Sequence, residues 1–275
     1  MKKIIKSLLF AGGVVLLIST TSCKKDKTNT TSSCQLTVLQ NTGSDSAAVT
    51  YDSQGRVSKY GGHSYALYTF NYSGLTATAD VTGTDTSYHP RMYLFLNANG
   101  NVVSMNTDIS FGTTTYHYTY TFTYDADGHI ILDEESNRDI NTPNTDYTKD
   151  SMVYADGNMV AKYTFEKSNS SSYILYDSLL ISYTTSPNKN GYYIWRYAEE
   201  PISQLSGWAA YYHLFGSSSK DLPASSKYYT SSLGLADQYI YSFLLNSDGF
   251  ATDENISASG HYPGTYNRTF AYNCQ

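Results

Sequence analysis

The chain has 275 residues, a formal net charge of −6 at pH 7 and many aromatic side chains, among them 29 tyrosines. The acidic balance argues against binding to nucleic acid or to anionic lipid headgroups, because both are negatively charged. Only 15% of the residues are charged, and the Tyr-, Thr- and Ser-rich composition is typical of extracytoplasmic β-sheet rather than of helical bundles. We therefore expect a mainly β protein with no nucleic-acid partner.

Residues 1–22 are predicted to be a targeting segment. Three lysines among the first six residues precede an apolar run at 4–18, which is shorter than the roughly 20 residues of a spanning helix. Small residues at 20–22 then lead directly to Cys23. This pattern resembles the lipobox of bacterial lipoproteins, with Thr20 where Leu is usual, and implies cleavage before Cys23 and acylation of its thiol. An ordinary secretory signal is the alternative.

The next segment is predicted to be a flexible tether. Residues 24–33, KKDKTNTTSS, contain no apolar side chain. We therefore divide the chain into a lipoprotein signal peptide (1–22), a tether (23–33) and a β domain (34–275). Lys24, rather than Asp, after the lipidated Cys favours sorting to the outer membrane, and the charged residues loosely resemble the export tags of Bacteroidetes surface lipoproteins. We expect a lipid-anchored protein of the outer membrane or cell surface.

Two further cysteines, Cys34 and Cys274, lie at the two ends of the β domain. In an oxidising compartment they predict a disulfide between the first and last strands. Closure of so long a loop would stabilise the fold by about 4–5 kcal/mol in the entropic account. Two unrelated buried thiols are the alternative.

Residues 113–135, TTTYHYTYTFTYDADGHIILDEE, form the clearest predicted hairpin. Aromatic rings recur at every second position and so share one face of a strand, with His117 and threonines on the other. A tight turn at 125–128 leads into an apolar return strand. The five rings are Tyr116, Tyr118, Tyr120, Phe122 and Tyr124. Similar turns ending in Gly recur at 52–55, 72–74, 97–100, 156–157 and 246–249.

The irregular spacing of these turns predicts a meander of unequal antiparallel hairpins rather than a propeller or solenoid. About 14 to 16 strands result, more than an open twisted sheet usually holds without curling. A strongly curved sheet, a half-barrel or a barrel would satisfy this count. We take the curved sheet or half-barrel, with one helix packed on it, as the predicted fold.

That helix is predicted at 201–216, PISQLSGWAAYYHLFG. Two glutamates and a proline mark its start, a glycine marks its end, and apolar residues recur at close to helical spacing. Because this segment breaks the hairpin pattern, we expect any ligand to bind near it. The candidate ligand-binding residues are Trp195, Trp208, Tyr212 and Phe215.

These features together resemble a known family. The lipobox, the Tyr-Asp-x-x-Gly hairpins, the helix, residues 216–223 (GSSSKDLP) and a closing Y-x-F-x-x-N-x-D-G-F strand at 241–250 are similar to the Bacteroidetes lipoproteins of domain-of-unknown-function family 4595. The hairpins also resemble, more weakly, the YD repeats of Rhs-type shells. The first resemblance implies an antiparallel β domain that binds a ligand or lipid and has no established catalytic residues.

Several residues allow a chemical interpretation beside a structural one. Residues 125–128 could begin a Ca²⁺ loop, but apolar residues at 130 and 131 stand where ligands are needed, so a turn is favoured. Acidic clusters at 133–135 and 253–254 could pair as the acid and base of a glycosidase, although solvated strand ends explain them more simply. The six histidines lack ligand spacing, and no catalytic motif occurs. We expect no metal and no cofactor.

The aromatic row at 116–124 could stack on a ligand, but a continuous apolar face of that size favours the core. The resulting hypothesis is a non-enzymatic surface lipoprotein that binds a hydrophobic, lipid-like or glycan ligand and is held at the membrane by its anchor. A secreted carbohydrate-active enzyme and a purely structural surface protein are the alternatives.

Overall fold

The computed structural model describes residues 34–41, 46–62, 65–83, 91–111, 114–141, 145–168, 171–189, 191 and 214–274. These residues form sixteen β-strands. They are β1 Cys34–Asn41, β2 Ser46–Tyr51, β3 Val57–Gly62, β4 Tyr65–Ser73, β5 Thr76–Thr82, β6 Arg91–Leu96, β7 Val102–Phe111, β8 Thr114–Tyr124, β9 Ile130–Asp139, β10 Thr145–Ala155, β11 Asn158–Ser168, β12 Ile174–Pro187, β13 Asp221–Thr230, β14 Gly234–Leu245, β15 Ala251–Gly260 and β16 Gly264–Cys274.

The sheet is a closed antiparallel barrel. Each strand pairs with its neighbours in the chain, and β1 also pairs with β16, from Cys34 opposite Cys274 to Asn41 opposite Arg268. The predicted antiparallel β-meander is confirmed, whereas the open curved sheet or half-barrel is wrong. Closure gives partners to the backbone groups of both outer strands, which an open sheet would leave unpaired.

The predicted helix lies mainly outside the described residues. Residues 214–216, its last three, are described and are not α-helical, and no α-helix occurs in the described ranges. Within the same ranges, no helix is long and apolar enough to cross a membrane.

The two ends of the barrel differ. Because the strands alternate in direction, Cys34, Cys274 and the tight hairpin turns at 52–55, 97–100, 125–128 and 246–249 lie at one end, the turn end. A disulfide joins Cys34 to Cys274 there. The opposite end, the loop end, carries the connections between β9 and β10 and between β11 and β12.

Four hairpins at the turn end share one hydrogen-bond pattern. The first residue of each turn is Asp or Asn, and its Oδ1 accepts the backbone N–H groups two and four positions later at 2.8–3.0 Å. The glycine that follows has φ between 78° and 86°, the left-handed region that favours glycine. The four turns begin at Asp52, Asn97, Asp125 and Asn246. The predicted hairpin pattern is confirmed at these positions.

Tyrosine hydroxyls form hydrogen bonds between neighbouring strands at the turn end. Five hydroxyls donate to backbone carbonyls near the start of the adjacent strand, at distances of 2.6–2.9 Å. The pairs are Tyr51 with Leu36, Tyr72 with Val57, Tyr124 with Val102, Tyr183 with Met159, and Tyr272 with Ala251. A ring that covers the core while its hydroxyl satisfies a carbonyl is a role for Tyr rather than Phe.

The segment 214–220 packs against the turn end. Phe215 is buried and meets the ring of Phe122 edge to face at 5.2 Å. The backbone N–H of Ser217 donates to the carbonyl of Gly128 at 2.8 Å. Gly216 has φ of 85°, and a Cβ there would lie 2.8 Å from the ring of Tyr124. The first residues of the GSSSKDLP segment thus have a structural role.

Inward side chains pack into a continuous apolar core, whereas outward positions carry polar side chains and also exposed apolar ones, such as Phe95, Leu180 and Ile240. Tyr118, Tyr120 and Phe122 are buried in this core, so the core interpretation of the aromatic row is confirmed. On the outer face of the same strand, His117 stands among threonines and contacts Asp108 at 2.6 Å. The interior of this part of the barrel is therefore filled by its own side chains.

Candidate functional site

Three of the four predicted ligand-binding residues, Trp195, Trp208 and Tyr212, lie outside the described residues. The fourth, Phe215, is only 3% exposed and contributes to the core beside Phe122. Packing in the core, rather than contact with a ligand, therefore explains why this residue is apolar.

The two acidic clusters of the glycosidase hypothesis have separate partners. Glu254 is buried and faces Arg268 on β16, with Nη1 and Oε2 3.2 Å apart. Asp133 is buried on β9 and faces Asp150 on β10. The structure therefore does not pair the clusters, and the expectation of solvated strand ends is wrong for Asp133 and Glu254. Both side chains point into the barrel, where Asp150 lies opposite Asp133 and Arg268 lies opposite Glu254.

The turn at 125–128 also brings together groups that could hold a cation. Ligand atoms of Asp125, Asp127 and His129 lie within 4.8 Å of one another. However, Asp125 Oδ1 accepts two backbone N–H groups, and its Oδ2 lies 3.0 Å from His129 Nδ1. These contacts are those of the hairpin turn itself, as the sequence predicted.

A different set of acidic residues forms the candidate site. Glu135 stands directly opposite the buried Tyr120 and thus points into the barrel, because opposed residues share a face of the sheet. The register then places further carboxylates of β10, β11 and β12 on the same inner face. We name the set the acidic stripe, and it consists of Asp133, Glu135, Asp146, Asp150, Glu166 and Asp177.

The stripe descends in rows from the loop end. The outermost row is Asn137, Asp146 and Ser168, and the second row is Glu135, Thr148 and Glu166. The third row contains Asp133, Asp150, Thr164 and Asp177, and below it lies Lys162. Successive rows are two residues apart, or about 7 Å along a strand. Carboxylates therefore extend inward from the mouth of the barrel over three rows.

A buried cation supports the bottom of the stripe. Lys162 Nζ lies 3.1 Å from Asp150 Oδ2, and both side chains are almost fully buried. Burial alone would lower the pKa of Lys162, but the carboxylates of Asp150 and Asp133 raise it. Burial, and then repulsion from Asp150, raises the pKa of Asp133 well above its ordinary value. Asp133 is thus held protonated more readily than a solvated aspartate.

The outer two rows open into a cavity of about 510 Å³ at the loop end. Its lining includes Glu135, Asn137, Asp146, Glu166 and Ser168. Burial and the neighbouring Asp150 and Glu166 raise the pKa of Glu135 from 4.5 to about 7. Burial, followed by the charge of Asp177, also raises the pKa of Glu166. This volume falls within the roughly 300–1,000 Å³ of small-molecule sites.

The arrangement can bind polar groups and exchange a proton near neutral pH. Ionised carboxylates accept hydrogen bonds from hydroxyl or ammonium groups, and the amide of Asn137 both donates and accepts. A carboxyl with a pKa near 7, such as that of Glu135, is suited to general acid or base chemistry.

Sequence analysis did not single out most of the stripe. Its signal is present in β10 and β11, where polar residues recur at every second position: Asp146, Thr148 and Asp150, then Lys162, Thr164 and Glu166. Such alternation ordinarily marks a solvent-facing side of a strand. Only the pairing register identifies this side as the inside of the barrel.

Comparison with known proteins supports the fold. No protein-family model and no curated protein matches the chain. Among solved structures, it is similar to a porin-like protein from Bacteroides vulgatus ATCC 8482, with a TM-score of 0.62 and 14% identity over 88% of this chain and 99% of that one. A porin-like protein from Bacteroides uniformis ATCC 8492 has a TM-score of 0.57 and 14% identity over 88% and 95% of the two chains. At this identity the likeness shows the barrel fold alone.

Proposed function

We propose that the chain is a lipid-anchored protein of the outer membrane or cell surface whose barrel binds a polar, sugar-like ligand in the loop-end cavity. The observation that carries this proposal is the cavity itself, at the end opposite Cys34 and Cys274. Carboxylates, an amide and hydroxyls line it, together with Tyr147, Lys167 and Ile174. The resemblance to domain-of-unknown-function family 4595 also implies a ligand-binding β domain.

The outer faces of β5 and β8 are polar, which favours anchoring by lipid over anchoring by the strands, whereas β6, β12 and β14 expose apolar side chains such as Phe95, Leu180 and Ile240. A membrane-spanning barrel presents an apolar band about 25 Å tall to the lipid chains. Here the outward positions of β8 are threonines and His117, and those of β5 are Thr76, Thr78, Asp80 and Thr82. These side chains are suited to water.

The proposed lipidation site is connected to the turn end of the barrel by a short tether. Cys23 precedes Cys34 by eleven residues, which span at most about 40 Å when extended. The barrel begins at Cys34 in the turn end. The tether from a lipidated Cys23 would therefore join the barrel at the end opposite the loop-end cavity.

The polarity of the cavity favours a glycan over a lipid-like ligand. Apolar side chains of the barrel already fill its core. The inward residues at the cavity are instead acidic, amide or hydroxylic, and Glu135 and Glu166 stand on the same row. Acceptors separated across the cavity in this way suit a ligand with several hydroxyls, such as a sugar.

The test is binding by the full chain in detergent, first on a glycan array and then by calorimetric titration with the best disaccharide. Glu135→Gln should weaken binding at least tenfold, because an ionisable acceptor in the cavity is lost. Glu134→Gln is the matched control, since Glu134 is the neighbouring residue but points outward and is exposed. No binding to any glycan, or equal losses in both variants, would refute the proposal.

A hydrolase remains the second candidate, favoured by one observation. The pKa of Glu135, raised to about 7, suits a general acid, and Asp146 and Glu166 stand in the same cavity as possible bases or nucleophiles. Release of new reducing ends from a bound oligosaccharide, lost in Glu135→Gln, would establish this activity. Unchanged oligosaccharide after prolonged incubation would leave binding as the function.

A further inference from the structure

We propose that the ligand of the loop-end cavity carries a protonated amine, as an amino sugar does. This inference rests on the proposed function, because it names the chemical class of ligand that the same cavity takes. It follows from the charge of the inner face, from two buried carboxylate oxygens and from the spread of the carboxylates over several rows.

The inner face has a large excess of negative groups. The acidic stripe holds six carboxyl groups, and the described cation that faces them from inside is Lys162, which lies at the bottom against Asp150. Lys149 and Lys167 alternate to the outer face, where Lys167 Nζ lies 4.5 Å from the ring centre of Tyr147 and 4.4 Å from that of Tyr173. Lys167 also reaches the rim of the cavity, where three carboxyl groups, those of Glu135, Asp146 and Glu166, stand against this one lysine.

Two buried acceptor oxygens lie directly below the rows that line the cavity. Asp133 and Asp150 are each 4% exposed and lie on the row directly below Glu135 and Glu166. Within the described ranges, Asp133 Oδ2 and Asp150 Oδ1 accept no hydrogen bond. Buried acceptors are ordinarily satisfied, because desolvation without a hydrogen bond costs free energy. An ammonium group that enters the stripe would supply both donors and charge.

The geometry suits an organic cation better than a metal ion. Ca²⁺ requires six to eight oxygens gathered at roughly 2.3–2.6 Å. The described residues contain two groups of three or more potential ligand atoms within 4.8 Å of one another, and neither belongs to the stripe. The stripe carboxylates are instead spread over rows about 7 Å apart. A ligand with several separated donors fits that spread.

Ligand binding should change the protonation of Glu135, because charged groups on neighbouring strands face this carboxyl. In the free protein Glu135 is crowded by Asp150 and Glu166, while Asp133, Asp146, Asp177 and Lys162 face it from β9, β10, β12 and β11. An ammonium between Glu135 and Glu166 would favour the ionised form of both. Binding at pH 6 should therefore release a proton, which titration in buffers of different ionisation enthalpy would measure.

The experiment compares three probes on the full chain: a glucosamine disaccharide, its N-acetylated counterpart and putrescine, a diamine with no sugar. The glucosamine disaccharide should bind at least tenfold more tightly than either of the others at pH 6. Glu166→Gln should remove most of that preference, and Glu134→Gln should leave it unchanged. Thermal unfolding of each variant by circular dichroism reports whether it is folded.

The outcomes separate this inference from the proposed function. Equal binding of the glucosamine and N-acetylated disaccharides would overturn the amine requirement and leave sugar binding in place. Putrescine binding as tightly as the amino disaccharide would overturn sugar recognition and keep the amine requirement. Failure of all three probes to bind would overturn both.

Discussion

Substitution of Glu135 by Gln should stabilise the protein above pH 7. Glu135 is partly buried beside Asp150 and Glu166, and its pKa is raised from 4.5 to about 7. A carboxyl with a raised pKa is protonated more readily in the folded than in the unfolded chain. The folded state therefore loses stability as the pH rises from about 4.5 to about 7. Gln has nearly the same shape and never ionises, so the variant escapes this loss.

The size of the effect follows from the same values. At roughly 1.4 kcal/mol for each pKa unit, a rise from 4.5 to about 7 corresponds to about 3 kcal/mol. Partial exposure of the side chain makes this an upper estimate. We expect the variant and the natural protein to be equally stable near pH 4.5, and the variant to be more stable by about 2–3 kcal/mol at pH 8.

Urea unfolding at a series of pH values, followed by circular dichroism, would measure the difference. The raised pKa values of Glu166 and Glu254 act in the same direction in both proteins. The charge of Glu135 also contributes to the raised pKa of Asp133, so its removal relieves Asp133 as well and adds to the gain. Glu134→Gln is the control and should show no pH-dependent gain. A free-energy difference between Glu135→Gln and the natural protein that stays flat from pH 4.5 to 8 would refute the electrostatic account of the cavity.

Three further predictions concern the barrel and its anchor. Gly216→Ala should lower the free energy of unfolding by about 2–4 kcal/mol, because φ is 85° and the new Cβ would overlap the carbonyl oxygen of Gly128 and the ring of Tyr124. Gly74→Ala, with open space around it, should lower it by about 1 kcal/mol. Tyr124→Phe should lower the free energy of unfolding by about 1 kcal/mol, because the hydrogen bond to a backbone carbonyl is lost. The control, Tyr93→Phe at an exposed position, should lower it by less than about 0.5 kcal/mol. Urea unfolding measures both variants. Cys23→Ala should abolish incorporation of labelled palmitate in the producing cell.

Each of these has a contrary result. Equal losses for the two glycine variants would mean that segment 214–220 does not pack closely on the turn end. Equal stabilities for the two tyrosine variants would mean that the bond from the Tyr124 hydroxyl to Val102 contributes nothing to the stability of the barrel. Unchanged palmitate labelling after Cys23→Ala would exclude lipidation at this residue.

The local elements of the fold were predictable because their signals are local. Alternation places the rings of β8 inside, and an Asp or Asn followed three residues later by Gly fixes the turns. Closure was not predicted, because it depends on pairing between β1 and β16, which are more than two hundred residues apart. The predicted link between Cys34 and Cys274 already implied that these strands are adjacent. Adjacency of the first and last strands would have favoured a closed barrel over an open sheet.

The candidate site was less predictable for a related reason. Asp146 and Asp150 resemble solvent-facing residues when β10 is considered alone. Only the register with β9, where Glu135 stands opposite Thr148 and next to the buried Tyr120, places them inside. Sequence analysis instead looked for function at the break in the hairpin pattern, where the described residue Phe215 belongs to the core.

The most direct test of the central claim is a crystal structure of the protein soaked with the disaccharide that binds best in solution, at a concentration that saturates the titration. We predict ligand density in the loop-end cavity, with polar groups of the sugar within hydrogen-bond distance of Glu135 and Glu166. Density elsewhere on the barrel, or an empty cavity under saturating conditions, would contradict the claim.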